Sequence, residues 1–155
     1  MDPVSVPSRS NLLLVLAIAV AAVGLSACSP SVLALDVGTC FDDGDELGSV
    51  SEVRDVPIVD CDVPHDNEVY FTFQLNDGSY PGSERVFDIA DKECFGSFEP
   101  YVDEAYETSQ LEFGWLVPTE EAWEEANDRE IICFLYDLGL NKLAGSMEGS
   151  GSSGA

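Results

Sequence analysis

The chain has 155 residues, 45% of them hydrophobic, and sets six Lys and Arg against thirty Asp and Glu, a formal net charge of -24. Length admits one ordinary domain, and the acidic excess argues against nucleic acid, whose phosphates must be neutralised by cations. Two Trp, eight Phe and five Tyr exclude a wholly solvated acidic chain, because they supply a core.

After a polar start with one cation, Arg9, an apolar run extends from Leu12 to Val23, followed by Gly24 and then Leu25-Ser26-Ala27-Cys28. This pattern reads as a secretory signal peptide over residues 1–27. The run falls short of the roughly 20 apolar residues that a spanning helix needs. The tetrapeptide resembles the bacterial lipoprotein lipobox, which implies that Cys28 is diacylated and becomes the first mature residue. Two acyl chains such as palmitate hold a protein stably on a bilayer where one holds it marginally. The expectation is a lipoprotein anchored on the extracytoplasmic face of the cell membrane. Residues 28–35 form a short Ser, Pro and Ala linker, 36–147 the domain, and 148–155 a flexible Gly/Ser tail.

Along the domain, Asp36 to Asp45 reads as a loop around Cys40-Phe41. Val53 to Cys61 predicts a strand, bulged or at an edge because of Pro57. Glu68 to Leu75 alternates Val69, Phe71, Phe73 and Leu75 with Tyr70, Thr72 and Gln74, a half-buried strand. Asn76-Asp77-Gly78-Ser79 turns the chain. Ser83 is placed to cap a helix running to about Phe98, before Pro100, with Phe87, Ala90, Cys94, Phe98 and, beyond its end, Tyr101 at helical spacing. Leu111 to Val117 predicts a strand with Leu111, Phe113, Trp115 and Val117 on one side. Pro118-Thr119-Glu120-Glu121 opens a short acidic helix through Trp123. Glu130 to Asp137 is apolar on both faces, the mark of a central strand. A final short strand is expected from Leu140 onward.

These elements compose an α+β domain, a small antiparallel sheet with one main helix packed on a face. Cys40, Cys61, Cys94 and Cys133 are an even set in a chain read as exported, which points to two disulfides. With no C-x-x-C and one His in the chain, zinc is not expected. A helix cysteine facing the sheet and a cysteine in the central strand suggest Cys94–Cys133, leaving Cys40–Cys61.

Further features recur in a fixed order: Val37-Gly38-Thr39-Cys40-Phe41; Val56-Pro57-Ile58-Val59-Asp60-Cys61; Pro64-His65 with Glu68-Val69; and Tyr80-Pro81-Gly82. Cys94 with Phe98 and Tyr101 follows, then Pro118-Thr119-Glu120-Glu121 through Trp123, Asp128-Arg129 and Cys133. In this order and spacing they resemble the septum formation domain of actinobacterial envelope proteins. The resemblance spans nearly the whole domain and implies an exported or membrane-attached module linked to cell division, without an established enzymatic activity.

The residues are also weighed for chemistry. His65 is the sole His, so any Ser/His/Asp or Cys/His machinery would have to use it. No G-x-S-x-G occurs, and the cysteines are assigned to disulfides, so His65 with Asp66 and Glu68 reads as a structural or recognition group. Twenty-nine acids in the processed chain make a suitably spaced carboxylate pair for glycoside hydrolysis almost unavoidable, so that signal has little weight. Asp42-Asp43-Gly44-Asp45-Glu46 fails the EF-hand pattern at Leu47 and Arg54 and reads first as a solvated turn, with weak divalent-ion association as the alternative. The expected function is a lipid-anchored extracytoplasmic binding or scaffolding module in septum or cell-envelope assembly. Its partners would be the membrane, through Cys28, and a basic envelope or division protein, with no cofactor, metal or nucleic acid. The alternative is an envelope hydrolase using His65 and nearby carboxylates.

Overall fold

In a computed structural model of the chain, the residues described are 33, 35–43 and 56–151. The apolar run Leu12 to Val23, Cys28, the acids beyond Asp43 in the first loop, Val53 to Asp55 and the last four residues lie outside them. No helix among the described residues is long and apolar enough to cross a membrane.

Five antiparallel strands form one sheet in the order β2-β1-β3-β5-β4: β1 is Cys40–Phe41, β2 Ile58–Val59, β3 Asn67–Gln74, β4 Leu111–Leu116 and β5 Glu130–Asp137. The 20-residue helix α1, Ser83–Val102, packs on one face, and the short helix α2, Glu120–Glu125, connects β4 to β5. The fold is therefore the expected α+β arrangement with both expected disulfides, Cys40–Cys61 and Cys94–Cys133.

β5 lies inside the sheet between β3 and β4, which is why both of its faces are apolar. Ile131, Cys133 and Leu135 meet Val86, Ala90, Cys94, Phe98 and Val102 of α1 in the main core, while Ile132 joins Leu35, Phe41, Val56 and Val69 on the opposite face. The Cys94–Cys133 bridge spans that main core, and the hydroxyl of Tyr70 donates to the Cys94 carbonyl beside it at 2.7 Å.

Several local expectations are corrected. The inward row of α1 is a strict i, i+4 series, so Val86 is buried and Phe87 is 46% exposed. The N-cap is Gly82, at φ 91 where a side chain would be strained, and Ser83 makes no cap bond. The helix continues past Pro100 to Val102, because a proline in the last turn deprives only the Gly96 carbonyl of its helical partner. A bulge between Val69 and Phe71 puts Val69 on one face of the sheet and Phe71 and Phe73 with the helix-side core, so the four alternating residues do not share one side. Cys40-Phe41 is a fully buried strand bridging β2 and β3, where a loop was expected. The predicted strand ending at Cys61 is reduced, among the described residues, to Ile58–Val59, since Pro57 has no N–H to donate.

The region beyond β5 forms a strap in place of a last strand. Leu143 makes an isolated antiparallel bridge with His65, and Gly145 donates to the Cys61 carbonyl. The tail is docked at its start: Gly149 donates to the carbonyl of Tyr101, and Gly151 sits so close to Asp103 that an added Cβ would lie 2.7 Å from the Asp103 carbonyl oxygen.

Candidate functional site

His65, Asp66 and Glu68 stand where the strap crosses the start of β3. Burial divides them, with His65 and Glu68 wholly buried and Asp66 partly exposed. The Nδ1 of His65 lies 2.8 Å from the Val63 carbonyl, a geometry in which Nδ1–H donates, and its Nε2 is buried with no hydrogen-bond partner. Glu68 accepts three bonds, from the Tyr101 hydroxyl at 2.8 Å, the Ser146 hydroxyl at 2.6 Å and the Met147 amide at 2.6 Å. The carboxylate thereby joins α1, β3 and the strap.

Cys40, His65 and Glu68 offer a sulfur, a ring nitrogen and a carboxylate oxygen within 4.8 Å of one another, all buried. The composition is that of a metal site, yet two of the three donors are engaged: the Cys40 sulfur is bonded to Cys61, and the Glu68 oxygens are hydrogen-bonded. A disulfide sulfur has no thiolate to give. No hydroxyl or thiol is aligned with the His65 ring as a nucleophile among the described residues; its one hydrogen bond is to a backbone carbonyl.

Asp66 works on the outer side of the same junction. Lys142 reaches its Oδ2 at 2.8 Å and the Asp42 carboxylate at 2.7 Å, and the Asp43 amide donates to Asp66. Partial burial would raise the Asp66 carboxyl, but the hydrogen bonds from Lys142 and the Asp43 amide, with the ammonium charge, together hold it below its ordinary value of 3.8. The Asp42 and Asp66 carboxylates raise Lys142 in turn. A lowered acid stabilises the fold above its unfolded value, and that contribution is lost as pH falls through the folded value; a raised lysine contributes fully below its unfolded value of 10.5 and loses that contribution as pH rises through the folded one. Asp66→Asn should therefore be less stable than wild type near neutrality, and the gap should close as pH is lowered below about 4. Urea melts of both proteins across that range check this, and a gap independent of pH would contradict it.

Beside this junction a cleft of about 540 Å³ opens between the sheet and the start of the strap. Two rings from β5, Phe134 and Tyr136, line it with centroids 6.2 Å apart, and Phe134 packs edge-on against Phe41. Gly114 of β4 is paired with Phe134 and makes room for it: a Cβ there would lie 2.5 Å from the ring's Cζ. Gly114→Ala should tilt the ring off β4 at a cost of about 1–2 kcal/mol. Denaturant titration and the loss of Phe41–Phe134 ring proximity by NMR would register it; an unchanged ring and unchanged stability would count against this packing.

Asp43, Asp66 and Asp137 supply the charge of the cleft. The Asp137 carboxylate accepts from the Asn141 amide, the Asn141 side chain and the Gly139 amide, bonds that hold it below its usual range. It thereby fixes a turn in which Leu140, at φ 59, stands 81% exposed on the cleft rim. Burial and the Glu112 carboxylate push the Tyr136 hydroxyl upward, so it stays protonated. Sequence reasoning singled out Asp66 but missed Gly114, Phe134, Tyr136, Asp137 and Leu140. The one available signal was Gly114 in the middle of an otherwise bulky strand.

The molecule is thus a disulfide-stapled α+β domain in which His65 and Glu68 are buried where the strap crosses β3 and whose open sheet face carries an aromatic, acidic cleft. The septum formation family model matches residues 37–152, three quarters of the chain, and the chain belongs to that family. The family is not an enzyme family as such, and membership ties the chain to septum formation. No curated protein and no solved structure matches the chain.

Proposed function

We propose that this protein is a lipid-anchored, extracytoplasmic binding or scaffolding module of septum assembly that engages a basic envelope or division protein. The observation that carries this reading is the division of labour at the strap: the buried polar groups are spent on holding the fold, and the concave surface is left to recognition. Two disulfides support an oxidising compartment, and Leu25-Ser26-Ala27-Cys28 after an apolar run supports lipid attachment at Cys28. The thirty acids against six cations support a partner of opposite charge.

The test is crosslinking from the surface of intact cells carrying wild type or Cys28→Ser. Wild type should incorporate labelled fatty acid and capture a basic protein of the division site, and Cys28→Ser should lose both. Unchanged labelling and migration of Cys28→Ser would remove the anchor from this reading. Hydrolysis of peptidoglycan by the purified chain, abolished in His65→Ala at an unchanged melting temperature, would replace it with an enzyme.

A further inference from the structure

We propose that the cleft over Phe134 and Tyr136 receives a lysine- or arginine-bearing segment of a partner protein, the cation seated against the rings and carboxylates and its aliphatic stem against Leu140. This deepens the reading above and rests on it. Three observations converge. Every charged residue lining the cleft is an acid, Asp43, Asp66 or Asp137. The neighbouring cation, Lys142, is already shared between Asp42 and Asp66, so it neutralises only part of that charge. The floor is aromatic, and a cation held near an aromatic face gains from the ring quadrupole, more so when flanking groups desolvate it.

The same molecule contains the arrangement the cleft would make with its ligand. The Arg129 guanidinium lies 3.7 Å from the centroid of the Trp123 ring, with Nη1 donating to two carbonyls. In the cleft the ring and the acceptors are present while the cation would come from outside. Long cationic side chains bury their methylenes along apolar surface while the head keeps its polar partners, and this gives the exposed Leu140 a use that solvent does not. A sugar would exploit the rings and the acceptors, but it would not exploit an all-acidic lining. A basic segment uses all three.

The test is an NMR titration of the full-length chain in neutral detergent with the peptide Ac-Lys-Leu-Arg-Leu-Lys-NH2, and with the acidic peptide Ac-Glu-Leu-Glu-Leu-Glu-NH2 as the charge-reversed probe. The basic peptide should shift amides of 134–141 and 43, bind more weakly as salt rises, and lose at least fivefold in affinity with Leu140→Asn and with Asp43→Asn. Leu140→Asn keeps the fold, because asparagine tolerates positive φ better than leucine. Asp43→Asn keeps a side-chain carbonyl that still accepts from the Asn67 amide. Asp91→Asn, on the helix, should leave affinity unchanged. Equal affinity for the acidic peptide, no binding of the basic one, or unchanged affinity in both cleft variants would overturn the proposal. So would shifts confined to a second acidic groove, lined by Phe95, Glu99, Asp103, Tyr106 and Glu107 at the end of α1. That last result, with surface crosslinking to a basic protein intact, would move the site while leaving the module's role standing.

Discussion

Glu68→Ala should lose about 3–5 kcal/mol of folding stability, while Glu68→Gln should lose about 1 kcal/mol or less. Alanine strands the Tyr101 hydroxyl, the Ser146 hydroxyl and the Met147 amide, three donors that now converge on one buried carboxylate. Each unsatisfied group costs about 1–3 kcal/mol. Glutamine can replace the carboxylate by orientation: its carbonyl accepts from the Met147 amide, and its amide donates to the two hydroxyls, which rotate to accept. It also removes a charge that is costly to keep in the interior, so the lost charge-assisted bonds are partly offset. Urea midpoints at constant slope separate the two variants. Equal losses would show that the negative charge matters, and not the number of acceptors.

The second large effect concerns the disulfides. Replacing Cys94 and Cys133 together by Ala should lower stability by about 4–5 kcal/mol, against about 3 kcal/mol for Cys40 and Cys61. Loop closure alone hardly separates them, since separations of 39 and 21 residues differ by only about 0.5 kcal/mol in that entropy. Location supplies the rest. Both sulfurs of the first bridge lie in the main core beneath α1, where truncation leaves a void, whereas Cys61 is half-buried near the surface. Thermal melts of the two double variants give the ranking, and a greater loss on removing Cys40–Cys61 would reverse it.

Elements with a long, consistent apolar pattern were legible in the sequence. Glu130–Asp137 could be placed inside the sheet because both of its faces are apolar, and the Cys94–Cys133 pairing followed from one helix face and one strand face. Cys40–Phe41 was not legible as a strand, since two residues have no period, and its pairing is imposed by β2 and β3. The bulge at Val69 and Phe71 left no local mark either. The site was read in part: the burial of Glu68 is tied to Ser146 and Met147, 78 and 79 residues away, in a stretch whose composition suggested a strand running into a tail. The cleft draws on β4, β5, the first residue of β3 and three connecting segments, so no single window of sequence contains it.

The strap also governs when the domain can exist. Lys142 closes on Asp42 across 100 residues, and Met147 closes on Glu68 across 79. A chain made from its N-terminus forward therefore exposes β1 and β3 long before the groups that lock them have been synthesised. Contacts of such separation fold slowly, because a long loop must be closed before they contribute. Any chain truncated before residue 146 leaves Glu68 buried with a single donor, or else exposed. Glu68 thus has its full set of donors only in chains that reach residue 147, and chains ending before it should be the ones proteases find first.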